Sequence, residues 1–218
     1  MGNSFPIDIV LFGMIAAFLV LRLRSILGRR TGYERPPQAA PVVGPAKGPV
    51  IDAMAEPVAA APTGLPPSGT PAAMALDAMA KVDRAFDAGR FLAGAGQAFH
   101  IIVTAFSAGD RATLEPLLTP DTFTAFAGAI AAREAAGETQ QTEIRAILES
   151  RIEAASLHAT QAEITVRFVT DQVNHTLDKN GQVTTGTDAV TELTDVWTFE
   201  RDLTSRDPTW RLAGARSA

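Results

Sequence analysis

Apolar residues change their spacing three times along the chain. From Ile7 to Leu23 they are nearly contiguous, reading IDIVLFGMIAAFLVLRL, with Asp8 near one end and Arg22 near the other. About 17 residues at 1.5 Å each reach roughly 26 Å, a short but usable membrane span. Residues 36 to 75 then lose every period and hold ten of the fourteen prolines, the composition of a tether. Helical spacing appears at Leu76, and strict alternation replaces it after Gln141. The chain divides accordingly into an N-terminal transmembrane anchor with its basic flank (1–30), a Pro/Ala-rich linker (31–75) and one domain (76–218).

Within the domain, Leu76, Met79, Val82 and Phe86 predict a first amphipathic helix ending near Gly89. Phe91, Ala95, Phe99, Ile102 and Phe106 form the stripe of a second helix, which Gly109 and Asp110 end. Gly94 and Gly96 weaken that helix, a cost that suggests close packing against another backbone. After a brief turn or helix at RATLEPLL, Thr119 suits the N-cap of a third helix with Pro120 at its first position. Phe123, Phe126 and Ile130 form its buried stripe, and Gly137 sits where a C-terminal cap is expected.

The alternation then predicts a long strand bent by a bulge near Ser150, followed by a second strand through Ala162, Ile164, Val166 and Phe168. Asn180-Gly181 is a hairpin signal. A third strand carries Leu193, Trp197 and Phe199, and a last one Trp210 and Leu212. Helices first and a meander afterwards predict an α+β fold, three helices packed on a curved antiparallel sheet of three to four strands. A cone or half-barrel only partly covered by helices leaves an apolar pocket. Its candidate lining is Phe99, Phe106, Phe123, Phe126, Ile130, Phe168, Trp197, Phe199 and Trp210, although each of these taken singly also suits ordinary core.

Charge and composition narrow the chemistry. Residues 1–76 carry 6 basic against 4 acidic side chains and residues 77–218 carry 13 against 20, so the domain is a poor match for nucleic acid. Zero cysteines exclude disulfides, thiolate metal sites and a thiol nucleophile. No H-E-x-x-H, EF-hand or Walker pattern occurs, and GAGQAF lies inside a helical pattern with no strand before it. Neither a metal nor a cofactor is therefore expected. Arg22, Arg24, Arg29 and Arg30 follow the apolar run, which places that flank in the cytoplasm with the N-terminus outside; these arginines also suit anionic headgroups. MGNSFP lacks the basic start of a cleaved signal peptide.

The segment DAGRFLAGAGQAFHIIVTAFSAGDRATLEPLLTPDTFTAFAGAIAARE, together with DVWTFERDLTSRDPTWRL, resembles the C-terminal domain of the mitochondrial inner-membrane translocase subunit Tim44 in its bacterial TimA-type form. The positions that carry the resemblance are Phe91, Gly94, Ala95, Ala98 and Phe99, then Phe106, Gly109 and Asp110, then Leu117, Leu118 and Phe123, and finally Asp195 to Arg201 with Trp210. An anchor, a tether and this domain in one short chain also match the alphaproteobacterial members. The resemblance implies a cone fold like that of nuclear transport factor two with a deep apolar pocket. It also implies attachment to the bacterial inner membrane and an adaptor role beside translocation or assembly machinery. The motor-binding region of the mitochondrial protein is absent, so import-motor scaffolding is not carried over.

Three functions follow as expectations. The first is a non-enzymatic adaptor that binds membrane lipid or hydrophobic protein segments, with Arg84, Arg90 and Arg133 as a local basic cluster and with a homo-oligomer compatible with the exposed sheet face. The second is a pocket enzyme pairing Asp195 with His100 or His158 for proton transfer, against which Asp195 could instead pair with Arg167 or Arg211. The third is a purely architectural membrane-complex subunit with a filled core.

Overall fold

A computed structural model describes residues 64–218. The expected anchor and most of the linker, including Arg22, Arg24, Arg29 and Arg30, lie outside the described residues. Helix α1 spans Pro71–Val82 with Thr70 as its N-cap, the Thr70 hydroxyl accepting from Ala73 N. It starts inside the stretch that reads as linker, because Pro71 and the small residues after it are compatible with a first helical turn although they set no apolar period. It also stops earlier than its stripe predicts. Asp83 is its C-cap, and Phe86 falls in the connection that follows.

Helix α2 spans Ala88–Ala108 and buries Phe91, Leu92, Ala95, Phe99, Ile102 and Ala105. Gly109 closes it in the left-handed region at φ 73°, where glycine carries no Cβ penalty. By length and composition α2 could cross a membrane, but its apolar stripe is spent on the domain core. A short α3 (Arg111–Leu114) and a 3₁₀ turn (Glu115–Leu117) lead to α4 (Pro120–Ala135), which starts at the predicted Thr119 cap.

Four antiparallel strands follow in the order β1-β2-β3-β4: Thr139–His158, Gln161–Leu177, Val183–Asp202 and Arg211–Ser217. This is the α+β meander that the switch in periodicity predicts. β1 bends at three register shifts, at Ile144/Ala146, Ile147/Glu149 and Ile152/Ala154, rather than at one bulge near Ser150. Opposite Val173, β3 spends three residues, Asp188 to Val190, between the pairs Gln172↔Thr191 and Asn174↔Thr187. β4 pairs with β3 only from Asp195 to Glu200. Its other edge receives the start of α4, with Thr119 N donating to Leu212 O at 3.0 Å and Thr122 Oγ1 donating to Ala213 O at 2.9 Å.

Rings of α2 and the sheet interlock in the core. Phe99 lies 4.7 Å from Phe168 and 4.6 Å from Trp197 between centroids, with Phe99, Phe168 and Phe199 almost wholly buried. Such pairs add to the stabilisation from area burial alone. On the opposite face of the sheet Arg167 reaches Glu149 at 3.3 Å and Glu153 at 3.8 Å, and Arg151 contacts the same two carboxylates. That face is built for water.

Candidate functional site

One open cleft of the domain lies at the start of α2, and a larger one, about 540 Å³, lies between Leu65–Ala72 and Arg151–Ala155 of β1. The first, of about 320 Å³, is bounded by Phe86 and Asp87 before the helix, by Arg90, Phe91, Gly94, Ala95 and Ala98 along it, and by Phe199, Arg201 and Trp210 from β3 and the approach to β4. Local sequence explains the helix side. Asp87 caps α2, its carboxylate accepting from Arg90 N at 2.7 Å. Phe86 before the cap packs on Phe91 one turn inside, ring centroids 6.4 Å apart, the arrangement of a hydrophobic staple. Trp210 completes the wall, 4.8 Å from Phe91 and 5.9 Å from Phe86.

Gly94 and Gly96 do not pack against another backbone. A Cβ built on Gly94 meets nothing within 4 Å, and one on Gly96 meets the end of the Ile147 side chain at 3.8 Å. Gly94 therefore costs helix stability, about 1 kcal/mol relative to Ala, without serving an internal contact, and it faces the cleft.

Two arginines edge the site. Arg201 bonds Asp83 through Nη1 at 3.1 Å with both side chains largely buried, and its Nε has no hydrogen-bond partner among the described residues. A buried donor left unmade is costly. Arg90 is mostly exposed, its Nη2 donating to Ala85 O at 3.0 Å.

Of the nine pocket candidates, Phe199 and Trp210 line this cleft. Phe99, Phe168, Trp197 and Ile130 are buried in the core. Phe106 and Phe126 pair edge to face at 5.0 Å and, like Phe123, pack against that core from its margin. The rings intended for a deep cavity fill it instead, because α2 lies directly across the sheet and brings Phe99 onto Phe168 and Trp197. The cleft residues that sequence reasoning passed over are Phe86, Asp87 and Arg201. The spacing of Phe86, Asp87 and Phe91 carries a usable staple signal, whereas nothing in the sequence links Asp83 to Arg201.

The basic cluster is also redistributed. Arg133 donates to Phe106 O, Ser107 O and the Gln140 side chain, and lies 5.2 Å over the Phe106 ring. Burial lowers its pKa from the ordinary arginine value. It ties α2 to α4 and the start of β1, and only Arg84 and Arg90 of the three remain exposed.

Asp195 shares a strand face with Trp197 and Phe199 and sits opposite Phe168 and Ser217. Burial raises its carboxyl above the ordinary 3.8, partly offset by the Ser217 hydroxyl donating to it at 3.0 Å. Neither expected partner reaches it. His100 and His158 are exposed, the latter beside the β1–β2 turn. Arg167 is engaged by Glu149 and Glu153, and Arg211 by Asp207 at 3.3 Å. The acid-base pair is thus not assembled. A histidine does approach a carboxylate on the β2–β3 arm, where His175 Nδ1 lies 3.3 Å from Asp188 and Nε2 lies 3.1 Å from Gln141 Oε1. Among the described residues no group of three or more His, Cys, Asp and Glu could hold a metal ion.

A family model, the Tim44-like domain, matches residues 72–217. No curated protein matches the chain by sequence. Three solved structures are similar to it at low identity. The intermembrane-space region of the chloroplast protein ARC6 is 11% identical with TM-score 0.42, covering 58% of this chain and 95% of its own. A candidate dehydratase of the NTF2-like family from Streptomyces avermitilis is 15% identical with TM-score 0.35, covering 56% and 92%. An NTF2-like superfamily protein from Salmonella enterica is 10% identical with TM-score 0.34, covering 56% and 85%.

Proposed function

The chain belongs to the Tim44-like domain family, and from that membership we propose that it is a membrane-tethered, non-enzymatic adaptor whose domain binds lipid or hydrophobic protein segments beside inner-membrane translocation or assembly machinery. The observation that carries the binding part is the cleft itself. Four of the positions on which the family resemblance rests, Phe91, Gly94, Ala95 and Ala98, form its helical wall, and Trp210 forms another. An apolar concavity with a few polar groups at its edge is the general form of a ligand site. The tethering part rests on the apolar run of residues 7–23 and its arginine-rich flank, a pattern that supports a domain held on the cytoplasmic side of the bacterial inner membrane at the end of a Pro-rich spacer.

The test is affinity purification of the intact protein from membranes in mild detergent, beside a version lacking residues 1–30, with both proteins and lipids identified. Recurrent membrane-complex subunits or a stoichiometric lipid on the intact form is the expected result. Finding neither on either form contradicts the adaptor.

A further inference from the structure

We propose that Gly64–Thr70, the stretch leading into α1, is a strap that opens as a unit without unfolding of the domain, and that while closed it clasps the outer edge of β1 to the first turns of α2. The inference concerns a movement of the chain and does not rest on the adaptor reading.

The clasp is made at Gly64. β1 is an edge strand of the sheet, and the Ile152 amide, turned away from β2, donates to Gly64 O at 2.8 Å. Gly64 lies at φ 106°, where a Cβ would collide with Ser150 O and stand 2.8 Å from Leu92 Cδ2. The chain therefore enters between β1 and α2 at a point that only glycine fits. Leu65 then packs on the margin of the core, and Ile152 beneath is 2% exposed. An open strand edge invites pairing with another chain, and the closed strap covers this one.

The same stretch is built to let go. Among the described residues, the Ile152–Gly64 bond is the only hydrogen bond from Gly64–Thr70 to β1. Pro66 and Pro67 carry no N–H and cannot extend it into a ladder. Thr70 spends its donors within the strap, its amide and hydroxyl reaching Pro67 O at 3.2 and 2.8 Å. Pro67, Ser68 and Gly69 are exposed. The cleft of about 540 Å³ that separates the strap and the start of α1 from Arg151–Ala155 deprives both sides of the dispersion contacts of a filled interface. One hydrogen bond and one leucine hold the strap, whereas β1 pairs with β2 from Thr139 to His158. A segment with so few buried contacts opens at a fraction of the global unfolding free energy. Gly69, at φ 82° with open space around it, gives the hinge, and the Thr70 cap of α1 marks where opening stops.

The test is residue-resolved hydrogen exchange, corrected for intrinsic rates, on the full-length protein in nanodiscs of zwitterionic lipid. In wild type the Ile152 amide should exchange about tenfold or more faster than the β2–β3 ladder around Val166 and Trp197, because it needs only the strap to open. Leu65→Ala should speed Ile152 by about a further tenfold, and Gly64→Ala by more, with the ladder amides unchanged. The Phe91 amide, which closes the first turn of α2 on Asp87 O at 2.9 Å, should also quicken in both variants. Exchange of Ile152 as slow as the ladder in wild type overturns the inference, and this comparison decides even where a variant loses global stability. Ile152 unchanged in both variants overturns it as well, since the strap would then not be what protects that edge. A faster Ile152 beside an unchanged Phe91 overturns the clasp on α2.

Discussion

Asp195 is the residue at which the sequence invites chemistry and the structure declines it. It lies on the buried strand face as the alternation predicts, but its company is Phe168 and the Ser217 hydroxyl. Histidine partners are a matter of three-dimensional placement, which spacing along one strand does not encode. Its raised pKa has a stability consequence. The folded state holds the proton more tightly than the unfolded chain, so this group's contribution is fully present below about pH 3.8 and is lost as pH rises through the raised folded value. Asp195→Asn keeps an acceptor for Ser217 without a charge to bury. Thermal melts should show it on the order of a few degrees more stable than wild type at pH 7, with the difference vanishing near pH 3.

Ala159 is the complementary case, a residue the sequence does not flag. It turns β1 into β2 at φ 56°, left-handed and without a glycine, which costs about 1–2 kcal/mol in a residue bearing a Cβ. Ala159→Gly should raise unfolding free energy in urea by about 1 kcal/mol, and an unchanged midpoint would show that the turn is not strained. Arg201 shares this illegibility. In D-V-W-T-F-E-R it reads as a strand-end charge, and only the fold brings Asp83 to it.

At the scale of elements, capping chemistry was the most readable signal. Thr119 with Pro120 and Gly109 mark a helix start and a helix end where the structure has them, because each satisfies backbone groups that any helix terminus leaves open. Apolar spacing placed the first helix less well. Phe86 keeps the period of α1 but belongs to the staple of α2, two roles that look identical in a list of apolar positions. Asp87 caps that helix from the connection, and Asp87→Ala should destabilise the domain by about 1 kcal/mol in denaturant titration. The same change should loosen the cleft wall, read as a red shift of Trp210 emission. Bulges were the least readable. The extra residues Asp188 to Val190 in β3 and the triple shift in β1 follow from sheet curvature and from the edges each strand must meet. Neither leaves a mark in period-two alternation, which a bulge interrupts just as a turn does.

For the whole molecule, the order of helices and strands was enough to predict an α+β meander with helices on one face. It was not enough to separate core from pocket, since Phe99, Phe168 and Trp197 carry the same pattern whether they fill a cone or line it. Packing decides the matter: these rings fill the core, and the cleft described above lies instead at the start of α2. Phe168→Ala removes a ring packed at a tilt on Phe99 and edge-on against Trp197 and should cost about 3–5 kcal/mol in chemical denaturation, a loss expected of core and not of an open wall. A Phe168→Ala protein as stable as wild type would return that residue to the candidate lining.

If the domain is the membrane-tethered adaptor proposed above, the cleft is the surface through which it meets its partner. The most direct measurement compares full-length wild type and Gly94→Leu, at matched abundance and matched melting temperature, for what each retains after purification from membranes. Loss of the recurrent partners from Gly94→Leu, with membrane association of the chain unchanged, is the predicted result. The same partners in the same amounts on both proteins would contradict it.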